Sequence, residues 1–438
     1  MATISSSGLP ARQAALRILT DVREGRPFDA ALDRAIGNLA DADRRLAHEI
    51  AAGVLRQQSA LDGRLGPLVP RGWDSVAPEL RDVLRLGAFQ LTSLDRVPAH
   101  AAVDTSVSLA RSIGGTRAGG FVNAVLRRLD RMPGIVDAPD AGAAGAAQLA
   151  EKYSHPRWLV ERWVARYGEA ETVELLAWNN TRPHLVLQAA REGLDELARR
   201  WTAAGISVEP APFGAGLAVD RTRPQELPGF AEGAFVVQDP AQALLTWFAD
   251  LPPTTMLYDA CAAPGGKTIA FGRGIAGVIA GDARRARVER LTHNLSRAGS
   301  GREHAIVANA RRPPVRQLDA VLLDVPCLGT GTFARHPDAR LRVREQALAG
   351  LVEEQAELLQ QAARVVARGG LLIYSTCSLE PEENERQVDR FLAAHREFAR
   401  EPSETFPAAL TSPNGDLMIL PHRHSMDGAY AARLRRAP

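Results

Sequence analysis

The sequence predicts an α/β protein: a doubly wound, mainly parallel sheet in the C-terminal half, preceded by an all-α domain and a small α+β region. Three observations carry this. From about residue 236, short apolar segments alternate with amphipathic helices, the pattern of a parallel sheet covered on both faces. The first ~130 residues carry only helical periodicity. A glycine-rich segment from Tyr258 to Thr268 follows the first of the apolar segments and opens a helix, as ligand-binding turns of doubly wound sheets do.

Taken in order, the helical region shows three stripes at helical spacing: Leu46, Ile50 and Val54; Leu80, Val83, Leu84 and Leu91; Phe121, Val122, Val125 and Leu129. Pro98, Gly114 and Gly115 punctuate it. Residues 132–148 are rich in Pro, Gly and Ala and read as a linker. A small mixed region then carries helix signals over 156–167, a strand-like run over 185–189 and a helix-like run over 194–204. The sheet strands are expected at 256–259, 277–281, 305–308, 320–324 and 371–375, with a helix over 283–298 that places Val288, Leu291 and Leu295 on one face. The expected domains are therefore 1–133, a linker at 134–150, a small subdomain at 151–235 and the sheet domain at 236–438.

Composition narrows the class. No apolar run approaches the ~18 residues that span a bilayer, and Met1 to Gly8 lack a basic start followed by an apolar stretch, so a cytoplasmic protein without membrane partner is expected. Three cysteines, Cys261, Cys327 and Cys377, are too few for a disulfide scaffold, and none forms a C-x-x-C pair, so no metal is expected. The net charge of +2 is no argument for nucleic acid. Of 53 basic residues only two are lysine, Lys152 and Lys267. A GC-rich coding bias accounts for the arginines. Lys267 surviving inside the glycine-rich motif suggests that arginine will not serve there.

That motif reads Tyr258-Asp-Ala-Cys-Ala-Ala-Pro-Gly-Gly-Lys-Thr268. Gly265 and Gly266 let backbone approach a ligand, and free N–H groups at the helix start favour an anionic group such as a cofactor carboxylate. Gly-Lys-Thr also ends a nucleotide-binding P-loop, with the run Val321-Leu-Leu-Asp324 as its acidic strand. That pattern needs glycine five positions before Gly266, where Cys261 stands. Asp282, about sixteen residues past the glycines, suits the ribose of an adenosine cofactor; it also suits capping of the helix that follows.

Two segments carry the chemistry: Leu323-Asp-Val-Pro-Cys-Leu-Gly-Thr-Gly-Thr332 and Tyr374-Ser-Thr-Cys-Ser-Leu-Glu-Pro-Glu-Glu-Asn384. Both close strands whose ends share an edge with the cofactor loop, so Cys327 and Cys377 should meet there. A thiolate adding to carbon 6 of cytosine turns carbon 5 into an enamine-like nucleophile able to take a methyl group. Asp324 is positioned to hydrogen-bond ring N3, and a base must then remove the carbon-5 proton. The target base must lie outside a stack. A lone cysteine is usually small apolar filling, and Cys261 reads so. Chemistry alone leaves open which of the other two attacks, since enzymes acting on DNA use a Pro-Cys thiol, as in Pro326-Cys327.

These motifs resemble the RNA cytosine-carbon-5 methyltransferases, and within them the RsmB (Fmu or Sun) branch acting on 16S ribosomal RNA. Ala47-His-Glu-Ile-Ala-Ala-Gly-Val-Leu-Arg56, Val97-Pro-Ala-His-Ala-Ala-Val103 and Gly120-Phe-Val-Asn-Ala-Val-Leu-Arg127 resemble that branch's NusB-like helical domain. The resemblance spans nearly the whole chain. It implies a Rossmann-like S-adenosyl-L-methionine-dependent methyltransferase domain behind a NusB-like domain and a small α+β subdomain. It implies Cys377 as nucleophile and Cys327 in product release, with Asp324 and Lys267 beside them. The cofactor falls to Cys261, Ala262, Ala263, Pro264, Gly265, Gly266, Lys267, Asp282 and Asp324. Two positions depart from the family pattern. Asn309 stands where an acid faces the adenine, and Asp427-Gly-Ala-Tyr430 leaves an aromatic role to Tyr430 alone.

A monomer that binds RNA is expected. Candidate phosphate contacts are Arg127, Arg128 and Arg131, Arg199 and Arg200, and Arg335 with His336, although each also suits a solvated face. Other readings are a cytosine-carbon-5 methyltransferase acting on tRNA or 23S rRNA, or a non-catalytic RNA-binding protein with a vestigial catalytic half. The intact Asp324, Cys327 and Cys377 speak against the latter.

Overall fold

The protein is described by a computed structural model over residues 8–132, 145–220 and 223–438. Contacts divide the chain into two units, residues 1–181 with 336–343, and residues 182–335 with 344–438.

The first unit is helical. Helices run over Leu9–Arg23, Phe28–Ile36, Asp41–Arg56, Gln58–Leu65, Pro78–Ser93 and Ala99–Asp130. The three stripes are the core: Ile50, Val54, Val83, Leu84, Val122 and Val125 are at most 2 % exposed, and Leu46, Leu80, Leu91 and Phe121 pack at its margin. Helices approach closely where glycine permits; a Cβ on Gly53 would lie 1.9 Å from Phe89 Cζ. Pro98 caps the long helix, and Gly114 with Gly115 (φ 68°) breaks it.

The linker expectation needs correction at its C-terminal end. Residues 133–144 lie outside the described residues, but Ala146–Lys152 is a helix that buries Leu149 and Ala150. Alanine-rich sequence is as compatible with helix as with a linker, and an apolar face decides the matter. The expected boundary at 151 thus falls inside a helix. Helices Arg157–Tyr167 and Glu169–Asn179 also group with the helical unit rather than with the small sheet that follows. So does the short segment 336–343, where Asp338 Oδ2 accepts from the Phe28 N–H at 3.1 Å.

The second unit holds two sheets. The small one is antiparallel, order β2-β3-β1-β4, with β1 Leu185–Ala189, β2 Val208–Pro210, β3 Leu217–Val219 and β4 Phe235–Val237. Helix Leu194–Ala203 covers it, burying Leu197 and Trp201 against Phe235. The large sheet contains β5 Met256–Asp259, β6 Gly277–Asp282, β7 Glu303–Val307, β8 Leu318–Asp324, β9 Val366–Thr376, β10 Phe398–Arg400, β11 Leu417–Ile419 and β12 Ala429–Arg436. Its order is β10-β12-β9-β8-β5-β6-β7, with β11 also on β12. Strands β5 to β9 pair in parallel, whereas β12 is antiparallel to β9.

Alternation assigns the two faces. Leu322 and Ile373 join Leu257 in one apolar layer, while Val321, Leu323, Leu372 and Tyr374 fill the other. Strand β5 matches the expected span; β9 starts five residues earlier than expected. The parallel order brings the carboxyl ends of β5, β6, β8 and β9 to one edge.

Candidate active site

The loop after β5 turns back along β6: the Ala262 N–H donates to the Gly281 carbonyl at 2.9 Å. Gly265 has φ +107°, and a Cβ there would meet Leu291 Cδ1 at 2.7 Å, so both conformation and space require glycine. Two side chains from helix Arg285–Ala298 brace the loop. Arg287 donates to the Ala263 carbonyl at 2.9 Å and Asn294 to that of Pro264 at 2.8 Å.

Asp282 ends β6, 5 % exposed. Its Oδ1 accepts from the Arg284 N–H at 3.0 Å, and its Oδ2 pairs with Arg287 at 3.2 Å. The helix begins at Arg285, not at 283, with Arg284 in the cap position. Asp282 therefore braces the turn ahead of the helix rather than capping it. Asn309, after β7, is exposed, and its Oδ1 accepts from the Arg311 N–H at 2.9 Å.

Lys267 Nζ donates to Asp324 Oδ2 at 2.6 Å, and Ser375 Oγ donates to Asp324 Oδ1 at 2.9 Å. Burial pulls the Lys267 pKa down, but Asp324 together with the charges of Cys377 and Asp259 outweighs it and raises it. The ammonium thus stays charged beside the sulfur of Cys377. A compact point charge fits here, where a forked guanidinium would need more room. Under the pair lies Asp259, 1 % exposed. One oxygen accepts from Thr268 Oγ1 at 2.7 Å, and the other has no partner among the described residues. Burial, helped by the Asp324 charge, pushes its carboxyl up to about 7 despite that hydrogen bond.

The two expected cysteines meet: Cys327 Sγ and Cys377 Sγ are 3.3 Å apart. The Cys327 thiol is pushed well up, first by its hydrogen bond to Cys377, then by burial and the charges of Cys377 and Glu383. The Cys327 thiol is therefore held in its protonated form. Cys261 is half-buried, and burial with the charges of Asp259, Asp324 and Asp282 pushes its thiol up to about 12. That makes it inert.

The Cys327 loop is fixed at three points. At its start, the Leu328 N–H donates to Glu383 at 3.0 Å, and Gln355 Nε2 donates to both Glu383 Oε1 and the Pro326 carbonyl at 2.9 Å. In its middle, the Gly331 N–H donates to the Cys377 carbonyl at 3.0 Å and the Gly428 N–H to the Gly331 carbonyl at 2.8 Å. A Cβ on Gly331 would lie 2.7 Å from Gly428 Cα, which explains both glycines. At its end, Arg335 donates to Asp239 Oδ2 at 2.6 Å and pairs with Asp427 at 3.2 Å.

Several expectations change here. Arg335 holds carboxylates and is not a free phosphate contact. Arg199 pairs with Glu196, and Arg200 with Glu192 and Glu232, so the middle arginines are likewise engaged. Tyr430 is 1 % exposed and donates to Asp416 Oδ2 at 2.7 Å; it is core, not a site aromatic. Sequence reasoning missed Asp239, Gln355, Arg287 and Asn294. It quoted Glu383 inside the Pro-Glu-Glu-Asn run without giving it a role.

A seven-strand order with one antiparallel strand, a glycine loop after the inner strand β5 and the two cysteines with Asp324 along one edge define a Rossmann-like methyltransferase domain. A model described as 16S rRNA methyltransferase RsmB/F matches residues 248–435, the NusB family matches 9–131, and an RsmF/B-like ferredoxin-like domain matches 155–225. The probable ribosomal RNA small subunit methyltransferase B of Synechocystis is 38 % identical, covering 98 % of this chain and all of that one. Ribosomal RNA small subunit methyltransferase B of Pseudomonas syringae is 31 % identical over 97 % of this chain and 96 % of that one. The crystal structure of PH0851 superposes with a TM-score of 0.83 at 26 % identity, covering 98 % of this chain and 99 % of that one. The chain belongs to the RsmB/F family of 16S rRNA methyltransferases, with the NusB-like domain in front. Among the described residues no helix is long and apolar enough to cross a membrane.

Proposed function

We propose that the protein transfers a methyl group from S-adenosyl-L-methionine to carbon 5 of a cytosine in 16S rRNA through a covalent cysteine–cytosine adduct. The observation that carries this is the 3.3 Å pair of Cys327 and Cys377 beside the Lys267–Asp324 pair. The cofactor fits the donor set. Asp282 suits ribose hydroxyls, and the backbone from Cys261 to Gly266 offers a cradle in which Gly265 has no room for a side chain. Asn309 offers an amide to the adenine side. When bound, the cofactor supplies an electrophilic methyl group.

The chain's residues do the rest. Cys377 adds as thiolate to carbon 6, while the Asp324 carboxylate, held by Lys267 and Ser375, accepts from the N4 amino group on the N3 edge of the ring. Carbon 5 gains electron density and takes the methyl group. Cys327 has then lost the sulfur acceptor that kept it protonated. It gives its proton to solvent and, as thiolate, removes the carbon-5 proton. The C6–S bond breaks and Cys377 leaves as thiolate. The helical domain over 1–133 and the small subdomain over 151–235 bind RNA in this reading, and a cytoplasmic monomer acts on it.

The test is transfer of labelled methyl to unmodified 16S RNA, followed by nucleoside mass analysis. 5-Methylcytosine is expected; label in another base, or transfer to tRNA or 23S rRNA alone, would overturn the reading.

A further inference from the structure

At the amino-terminal ends of β6 and β7, opposite the edge that carries the cysteines, the second unit has an open cavity of ≈ 520 Å³ lined by Arg191, Arg273 and Arg302. The small sheet contributes the first arginine, just past β1. The large sheet contributes the other two, from the turns before β6 and β7. Gly299 and Gly301 form part of the wall, so backbone rather than side chain borders the space.

The arginines are oriented but not neutralised. Arg191 donates to the Ser296 carbonyl at 2.9 Å and the Gly299 carbonyl at 3.3 Å. Arg273 donates to the Ala189 carbonyl at 2.8 Å, and Arg302 to the Ile275 carbonyl at 3.2 Å. Among the described residues none of the three forms an ion pair, unlike Arg199, Arg200 and Arg335. A fourth, Arg297, lies near enough to Arg191 for the two charges to repel. Of the nearby carboxylates, Glu192 belongs to the lining, with one oxygen paired to Arg200 and the other without a hydrogen bond among the described residues, and Glu303 accepts from Ser300 and the Gly301 N–H.

A guanidinium has five N–H donors, and each of these three spends one or two on a carbonyl. The rest border one cavity in which three guanidinium groups outnumber the single lining carboxylate, Glu192. That is the recognition chemistry of a phosphate group, which accepts forked hydrogen bonds from arginine. We propose that this cavity binds a backbone phosphate of the RNA substrate, several nucleotides from the cytosine that reaches Cys377. Strand β6 alone separates the two edges by about 20 Å at ~3.3 Å per residue. The inference rests on RNA being the substrate and adds where its backbone is held.

The test compares the full-length protein with Arg273→Gln/Arg302→Gln and Arg273→Lys/Arg302→Lys. Glutamine retains an N–H for each carbonyl and removes the charge. For the glutamine variant, the slope of log Kd for RNA against log salt should fall by about 1. KM for RNA should rise, while kcat at saturating RNA and affinity for S-adenosylmethionine stay unchanged. The lysine variant should recover the slope, and Arg302→Gln alone gives the same reading if the double variant folds poorly. Unchanged slope and KM, in a preparation whose wild type methylates the same RNA, would overturn the site. So would loss of inorganic phosphate binding alone, by calorimetry, with RNA affinity intact. A wild type whose RNA slope depends on the two arginines but which transfers no methyl would keep the site and overturn the methylation reading.

Discussion

Cys327 and Cys377 stand 50 residues apart in the chain, yet their sulfurs lie 3.3 Å from each other. The reason is the register of β8 on β9, in which Asp324 faces Ser375. Cys327 lies three residues past β8 and Cys377 directly follows β9, so adjacent parallel strands deliver both sulfurs to one point. In the proposed mechanism the two sulfurs differ in role: Cys377 attacks carbon 6 and Cys327 removes the carbon-5 proton. The two roles therefore separate in a denaturing gel with RNA and cofactor. Cys327→Ala should attack and methylate, fail to release, and run as a protein–RNA adduct. Cys377→Ala should form none. The reverse pattern would exchange the roles, and no adduct from either would remove the covalent mechanism. Cys377 should also react faster with a small alkylating reagent than Cys327 or Cys261.

Asp282 is the expected ribose ligand, but it also holds Arg287, which in turn holds the Ala263 carbonyl. Asp282→Ala should weaken S-adenosylmethionine binding by about 1.5–3 kcal/mol, the value of a hydrogen bond to a charged group. Arg287→Met separates the two contributions. If it matches the Asp282→Ala loss by calorimetry, loop bracing rather than a ribose contact explains the effect.

Asp259 makes a pH prediction. Its carboxyl sits at about 7 in the folded protein against an ordinary 3.8. The unfolded chain releases this proton above about pH 4 and the folded protein retains it to about pH 7. The native state therefore binds more protons across that window, and stability falls as pH rises through it. Three units correspond to about 4 kcal/mol. Asp259→Asn keeps the acceptor for Thr268 and removes the ionisation. Denaturant titrations should show the wild type losing stability relative to this variant between about pH 4 and 7, with the difference level above that. Parallel curves would mean that Asp259 ionises as an ordinary carboxylate.

What the sequence revealed follows physical lines. The span of β5 was legible because its apolar run is bounded by turn residues, and the cysteines because short motifs carry them. Strand β12 was not legible: Arg433 and Arg435 interrupt its apolar pattern, and pairing with Glu401, together with the Phe248 and Gly369 carbonyls, lets them lie in a sheet. Asp239, which sequence reasoning missed, caps a helix, its side chain accepting from the Ala241 N–H. Its second task, holding Arg335, joins residues 96 apart, and no local pattern announces it. Arg335 itself looked like a phosphate contact for the same reason.

The helical unit retains better candidates for RNA. Arg128 and Arg131 are exposed, and among the described residues Arg127 has only a distant partner in Asp104, at 4.0 Å. Replacing Arg128 and Arg131 by glutamine in the full chain should lower the salt slope of RNA binding by about 2 and leave cofactor affinity unchanged. An unchanged slope would place the phosphate contacts elsewhere. Deleting the domain is a poorer test, since a chain starting at Glu151 removes the Phe28 N–H from Asp338, which is 1 % exposed.

Arg340 follows the Cys327 loop in sequence but is built into the helical unit, 1 % exposed. It donates to the Asn179 carbonyl at 2.6 Å and to Asn180 Oδ1 at 2.5 Å. Burial, then the Arg56 charge, pulls its guanidinium down to about 9, which still leaves it charged at neutral pH. The two forces compete: desolvating a cation is costly, but unpairing buried acceptors costs about 1–3 kcal/mol each. Arg340→Met keeps the volume and unpairs both acceptors, so it should lower stability by about 2–5 kcal/mol. Arg340→Lys restores the charge without the fork and should recover only part of it. Chemical denaturation of the three proteins decides. A methionine variant as stable as the wild type would mean that desolvation cancels the hydrogen bonds, and Arg340 would then contribute nothing to holding this segment in the helical unit.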